Sequence, residues 1–226
     1  MASKPLAVCL LSGGLDSTVA AAWAAQSYDL LALHISYGQR AAEIERRCAE
    51  QMARAMGVRA FRSTNLSFLQ ELGGSALTDS AVDIPMGAIS TDKVPVTQVP
   101  FRNGIFLAMA VAWAEATSAQ AVVIGAVEED SSGYPDCREQ FLIGFERAVE
   151  MGIKPDRDIR IVAPLVHKTK GDIVRMGTEL RVPFQNTWSC YTAGPVPCGA
   201  CESCLLRAKG FALAKVIDPA VTQATT

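Results

Sequence analysis

This sequence contains no apolar run near the ~18–20 residues needed to cross a bilayer, so no membrane span is expected. The stretch Lys4-Pro5-Leu6-Ala7-Val8-Cys9-Leu10-Leu11 superficially resembles a signal peptide. Its apolar part is too short, and Asp16 follows before any cleavage site. A basic excess is also missing. The chain has 21 Lys and Arg against 23 Asp and Glu, a net charge of −2. A protein that grips a phosphate backbone carries a strong positive balance, so direct nucleic-acid binding is not expected. Charge is sparse at 19% while 50% of residues are hydrophobic, which excludes disorder. Internal repeats and low-complexity tracts are absent. So is a disulfide framework, because the 7 cysteines are odd in number and unevenly placed. The expected location is the cytoplasm, where thiols stay reduced.

What is present is 226 residues, enough for one large domain or one with a small appendage. Candidate strands at 6–11, 30–35, 58–62 (the weakest), 121–125 and 159–163 alternate with helix-favouring segments at 17–25, 41–56, 103–115, 139–151, 170–180 and 203–214. In the second helix Ile44, Cys48, Met52 and Met56 recur every four residues, and Gly57 marks its stop. Helix 103–115 is apolar nearly all round, which predicts deep burial in a core or an interface. Periodicity fails over 75–100, a stretch broken by Pro85, Gly87, Pro95 and Pro100, and loops of that length tend to be functional. Alternating strands and helices predict an α/β fold of three layers around a parallel sheet of about five strands.

Ser12-Gly13-Gly14-Leu15-Asp16-Ser17-Thr18 joins the first strand to the first helix. Its glycines admit a ligand close to the backbone, and the N–H groups there form an anion site. The hydroxyls of Ser12, Ser17 and Thr18 add donors. Asp16 does not favour phosphate, so it orients the loop, holds Mg²⁺ or caps the helix. The string matches neither the lysine-bearing phosphate loop nor the dinucleotide fingerprint. The second strand ends at His34-Ile35-Ser36-Tyr37-Gly38-Gln39-Arg40, where a doubly wound sheet would offer adenine or ribose contacts.

After the fourth strand come Glu128-Glu129-Asp130 and then Ser132-Gly133-Tyr134-Pro135-Asp136-Cys137-Arg138. Carboxylates suit the donor edge of a guanine-like ring, Tyr134 suits stacking, and Arg138 suits a substrate carboxylate. The plain alternative is a solvated acidic loop that caps the helix near Glu139. Near the C-terminus, Cys190, Cys198, Cys201 and Cys204 fall within 15 residues. Such spacing fits a tetrahedral zinc site or an iron–sulfur cluster.

The glycine loop resembles that of the PP-loop N-type ATP pyrophosphatases. Taken with Tyr37-Gly38-Gln39-Arg40, with Val99-Pro100-Phe101-Arg102-Asn103, with the segment ending at Arg138 and with the four cysteines, the chain resembles the 7-cyano-7-deazaguanine synthase family over nearly its whole length. Phe101 departs from that family, which more often has a small residue there. The resemblance implies strand order 3-2-1-4-5. It also implies an ATP-binding domain at 1–182 and a zinc-binding segment at 183–226, with one Zn²⁺ per chain on Cys190, Cys198, Cys201 and Cys204. It assigns ATP and Mg²⁺ to Leu11, Ser12, Gly13, Gly14, Leu15, Asp16, Ser17, Thr18, His34 and Arg40. Substrate falls to Arg102, Asn103, Glu128, Asp130, Tyr134, Asp136 and Arg138, and catalysis to Ser12, Asp16 and Lys170. The implied reaction is ATP-dependent ligation of ammonia to 7-carboxy-7-deazaguanine by a homodimer, with free ammonia as donor because the chain has no room for a glutaminase domain. The rival is a PP-loop tRNA sulfurtransferase that carries sulfur on its cysteines.

Overall fold

The computed structural model describes residues 3–90, 94–128 and 133–222, with the side chains of 221 and 222 left aside. Five strands, β1 (Leu6–Leu10), β2 (Asp29–Ser36), β3 (Ala60–Asn65), β4 (Ala121–Val123) and β5 (Arg160–Val162), form one sheet in the order β3-β2-β1-β4-β5. Every pairing is parallel. Side chains of the central strand alternate between two cores, as a strand covered on both faces must. Ala7 and Cys9 face one core, and Val8 and Leu10 face the other.

The first core is closed by α1 (Leu15–Ala24), α2 (Ala42–Ala55), α6 (Lys170–Glu179) and α7 (Glu202–Ala214), through Val19, Met52, Ile173 and Phe211. The second is closed by α4 (Arg102–Thr117) and α5 (Glu139–Gly152), through Leu107, Ala110, Leu142 and Val149. Chain leaving β1 therefore turns to one face and chain leaving β4 to the other. That divergence opens a crevice at the carboxyl ends of the two adjacent strands. Phe184 and Phe211, from the last 44 residues, lie in the first core with Val19 and Ile173, their rings 5.2 Å apart.

Two expectations need correction. Helix α4 is not buried all round. Leu107, Ala110 and Ala114 are buried, whereas Ala108, Ala112 and Ala116 are exposed. Its outer face is alanine, which favours helix without requiring a core. The edge strand β3 runs to Asn65, beyond the expected end at Arg62. Its pairing with β2 extends to Ser36↔Asn65, and polar Arg62 and Ser63 are tolerated because they face solvent. A short helix, α3 (Phe68–Glu71), follows it.

Phe101 sits at the N-cap of α4 with φ 51° and ψ 25°, a left-handed conformation unusual for a bulky residue. Its ring lies over Gly104, where a Cβ would come within 2.4 Å of it, and meets Phe141 edge-on at 5.7 Å. This packing offsets the backbone cost and fixes the entry into α4.

Candidate active site and metal centre

The loop from Ser12 to Ser17 leaves β1 into the crevice. Gly13 has φ +85°, and a Cβ there would lie 2.4 Å from the carbonyl oxygen of Glu45, so only glycine lets the loop rest on α2. The hydroxyls organise the loop from within. Ser12 N–H donates to Ser17 Oγ at 3.2 Å, the two hydroxyls are 2.8 Å apart, and Gly14 N–H donates to Ser12 Oγ at 3.2 Å. Leu11, Ser12, Gly14, Leu15, Asp16 and Ser17 line the crevice. Gly13 and Thr18 do not. Gly13 is buried beneath the loop, and fully buried Thr18 donates back to Gly14 O at 2.7 Å.

Asp16 does not cap α1, whose N-cap is Gly14 with no side-chain cap bond. Its Oδ2 instead accepts from Lys170 Nζ at 2.6 Å. Oδ1 is buried without a partner among the described residues. Lys170 is aimed by its own helix start, where Thr169 and Asp172 form a reciprocal capping box.

Gly125, after β4, joins the two halves. A Cβ there would lie 2.8 Å from both Ser17 N and Ser17 Cα. We expect Gly125→Ala to force the loops apart, lower turnover about 100-fold and cost about 1–3 kcal/mol of stability. Steady-state kinetics and denaturant unfolding measure the two effects.

The other half of the crevice is built on Arg102. Its guanidinium donates to Tyr37 Oη at 3.0 Å. It stands 5.3 Å from the Tyr37 ring, 5.6 Å from Tyr134 and 6.0 Å from Phe106. No carboxylate of the described residues is within salt-bridge distance of it, so this cation is available to an anionic ligand. Tyr134 is anchored by donating to Thr97 Oγ1 at 2.9 Å. Burial pushes the Tyr37 phenol up to about 12, and burial likewise raises the Cys137 thiol to about 11, so both are neutral at pH 7. Asn103 lines the crevice and donates to Cys137 Sγ at 3.1 Å.

Other predicted ligands are placed elsewhere. Asp136 is buried and accepts the Asn103 N–H at 2.8 Å, so it caps α4 from another segment and complements its dipole. Asp136→Asn is expected to cost about 1–2 kcal/mol. It should raise the KM for a carboxylate substrate more than it lowers kcat, because it loosens Arg102 without removing it; thermal melts and kinetics check both. Glu128 is exposed and accepts the Glu139 N–H at 3.0 Å, capping α5. Exposed Arg138 is the N-cap of α5 and does not line the crevice. Asp130 lies outside the described residues. His34 is 1% exposed, with Nδ1 3.1 Å from Leu11 O and Nε2 3.3 Å from Ser36 Oγ. Burial lowers its pKa, so it is a neutral packing residue between strands. Arg40 donates to Asp79 O at 3.0 Å and Val82 O at 2.6 Å, pinning the long loop.

In the cysteine segment, the four Sγ atoms of Cys190, Cys198, Cys201 and Cys204 lie within 4.8 Å of one another. A tetrahedral zinc with Zn–S of ~2.3 Å sets its sulfurs ~3.8 Å apart. The observed 4.0 Å pairs, Cys198–Cys204 and Cys190–Cys201, fit a single ion of that kind. A cluster binding each thiolate on a separate iron spreads them wider. Backbone N–H groups of Cys198 and Thr192 point at Cys190 Sγ, at 3.3 and 3.4 Å, as a thiolate requires.

This centre is tied to both neighbouring loops. Trp188 N–H donates to Gly13 O at 2.9 Å, and its indole donates to Cys190 O at 2.9 Å. Ser90 N–H donates to Glu202 at 2.8 Å, and Gly87 N–H to Ala200 O at 2.8 Å. Arg207 donates two hydrogen bonds to Asp218 in a buried bidentate salt bridge, at 2.6 and 2.9 Å, and also donates to Thr187 Oγ1.

Gln39, from the Tyr37–Arg40 string, lines the crevice, and so do Glu45, Trp188, Ser189 and Arg207, whose sequence context does not announce them.

A model of the family described as queuosine biosynthesis protein QueC matches residues 6–215. A 7-cyano-7-deazaguanine synthase from Sulfurovum sp. (strain NBC37-1) is 46% identical over 214 residues, covering 94% of this chain and 96% of its own. Another, from Campylobacter fetus subsp. fetus (strain 82-40), is 46% identical over 219 residues, covering 96% and 97%. Among solved structures, NMN synthetase from Francisella tularensis overlaps more loosely. Its TM-score is 0.45 at 16% identity, and the match covers 86% of this chain and 67% of that one.

Proposed function

Because the chain belongs to the QueC family of queuosine biosynthesis proteins, whose matched relatives are 7-cyano-7-deazaguanine synthases, we propose that its crevice converts 7-carboxy-7-deazaguanine and ammonia to 7-cyano-7-deazaguanine at the expense of ATP. One observation carries this reading: the phosphate-type loop at Ser12–Ser17 and the cationic, aromatic pocket around Arg102 line the same crevice.

A carboxylate is a poor acyl donor because its oxygen does not leave. Adenylation cures this. A carboxylate oxygen attacks the α-phosphorus of ATP and pyrophosphate departs. Ammonia then attacks the acyl carbon, and AMP leaves with the former carboxylate oxygen to give the amide. The amide oxygen attacks a second ATP, and loss of AMP with the remaining N–H protons gives the nitrile.

In this scheme backbone N–H groups at Ser12–Ser17 hold the pyrophosphate. Lys170 neutralises charge that develops during attack. Arg102 holds the carboxylate, and Tyr134 stacks on the ring. Asp16 Oδ1 is the group that would hold Mg²⁺, which shares the phosphate charge. The four thiols suit one zinc ion, whose part is to hold the segment's shape. Thiols committed to a cation are poor sulfur carriers, which weighs against the sulfurtransferase reading.

The net charge of −2 suits a cytoplasmic enzyme that handles a free base before any tRNA is involved. No helix among the described residues is long and apolar enough to cross a membrane. A homodimer is part of the same reading, and light scattering tests it.

Incubation with ATP, ammonia and the carboxylate is expected to give the nitrile with two AMP per nitrile. ADP, or a sulfur-containing product, would remove the reading.

A further inference from the structure

Glu45 has no part in the scheme above, although it lines the crevice. The carboxylates lining that crevice among the described residues are Asp16 and Glu45. Asp16 is engaged by Lys170. Glu45 has no such cation. Its Oε2 accepts from Gln39 Nε2 at 2.8 Å. Gln39 cannot reverse that amide without loss, because its Oε1 already accepts the Tyr37 N–H at 2.8 Å. The glutamine therefore presents only its NH₂ group, and Glu45 is held as an acceptor with Oε1 left for a donor from a ligand.

The position is equally specific. The Glu45 backbone supports Gly13 in the phosphate loop. On the other side its carboxylate feels the Arg102 guanidinium. Glu45 thus stands between the group that binds phosphate and the group that binds the substrate anion, where an acyl adenylate forms.

We propose that Glu45 binds ammonium in the crevice and acts as its general base. This rests on the ligase reading. Ammonium, the dominant form at neutral pH, has no lone pair to attack with. It gives one proton to the Glu45 carboxylate, and the freed pair forms the C–N bond. The C–O bond to AMP then breaks, its electron pair leaves on the AMP oxygen, and the nitrogen sheds a second proton to solvent as the neutral amide forms. Burial raises the Glu45 carboxyl above the usual carboxylate range, opposed by the Gln39 hydrogen bond and by Arg102. A base so placed exchanges protons with an amine more readily. The other titratable groups that face it are Tyr37, after β2, and Cys48, on its own helix.

The test is Glu45→Gln in the full-length protein, in three assays at neutral pH. Nitrile formation from ammonium is expected to fall about 100-fold. Pyrophosphate exchange into ATP with the carboxylate alone should stay within about twofold of wild type. Hydroxylamine, largely unprotonated at this pH, should give the hydroxamate at the wild-type rate. Glu45→Asp is read in the same assays if the glutamine variant does not fold. Wild-type use of ammonium by the variant would overturn the proposal. So would loss of exchange in step with nitrile formation, which would put Glu45 in nucleotide binding. Absence of nitrile from the wild-type protein would instead remove the ligase reading itself.

Discussion

If the four cysteines hold the proposed metal ion, its removal by a chelator, or substitution of Cys201 by serine, is expected to abolish activity and to lower the melting temperature by about 10–20 °C, the equivalent of about 5 kcal/mol for a chain of this size. The four sulfurs are crowded within 4.8 Å. Without a cation they must share protons. Cys190 is lowered by hydrogen bonds from Cys201 and Cys204, while the same bonds raise Cys201 to about 11 and push Cys204 higher still. The apolar support nearby is thin, chiefly Ala76, Ile84, Trp188 and Tyr191. Loss of the centre therefore frees residues 75–90 as well, since Gly87 and Ser90 are held by Ala200 and Glu202. It also removes the Trp188 bond to Gly13 beneath the phosphate loop. Calorimetry with metal analysis gives the first effect, and hydrogen exchange locates it. A metal-free protein that melts unchanged would contradict a structural role.

Lys170→Met is expected to lower nitrile formation and pyrophosphate exchange together, by about 100–1,000-fold, with a much smaller loss of stability. Lys170 is mostly buried, its side chain 12% exposed against 29% for Asp16. Its removal leaves Asp16 as an uncompensated carboxylate beside the place where, in the proposed scheme, phosphate charge develops, so electrostatics would reverse there. The double variant Asp16→Asn/Lys170→Met should recover stability but not turnover. This signature differs from that of Glu45→Gln, which should spare exchange. If Lys170→Met changed only the KM for ammonia, the assignment of Lys170 to the phosphate half of the crevice would fail.

The sheet was readable where burial was complete. Leu6–Leu10 and Ala121–Val123 are continuous apolar runs because helices cover both their faces. The edge strand β3 was blurred because one side of it meets water. The four cysteines pointed to a metal centre by spacing alone, and Gly13 and Gly14 to a tight loop. That Asp136 and Glu128 cap helices was not legible in the sequence, because a carboxylate that caps a distant helix has the same letter as one that binds substrate. Only their distances to the Asn103 and Glu139 amides, 2.8 and 3.0 Å, separate the two uses. Glu45 was hidden for the opposite reason. It lies in the first turn of an amphipathic helix among Glu43, Arg46 and Arg47, where three charged neighbours make it look like solvated surface. Its role follows from Gln39 and Gly13, contacts that no pattern within α2 encodes.

The central claim is that this one crevice joins a substrate oxygen to the α-phosphorus of ATP twice, first from the carboxylate and then from the amide. It is tested most directly by supplying 7-carboxy-7-deazaguanine with both carboxylate oxygens replaced by oxygen-18 and weighing the products. Each of the two AMP molecules should carry one heavy oxygen, with none in pyrophosphate and none in the nitrile. Heavy oxygen in inorganic phosphate or pyrophosphate, or unlabelled AMP, would contradict the account.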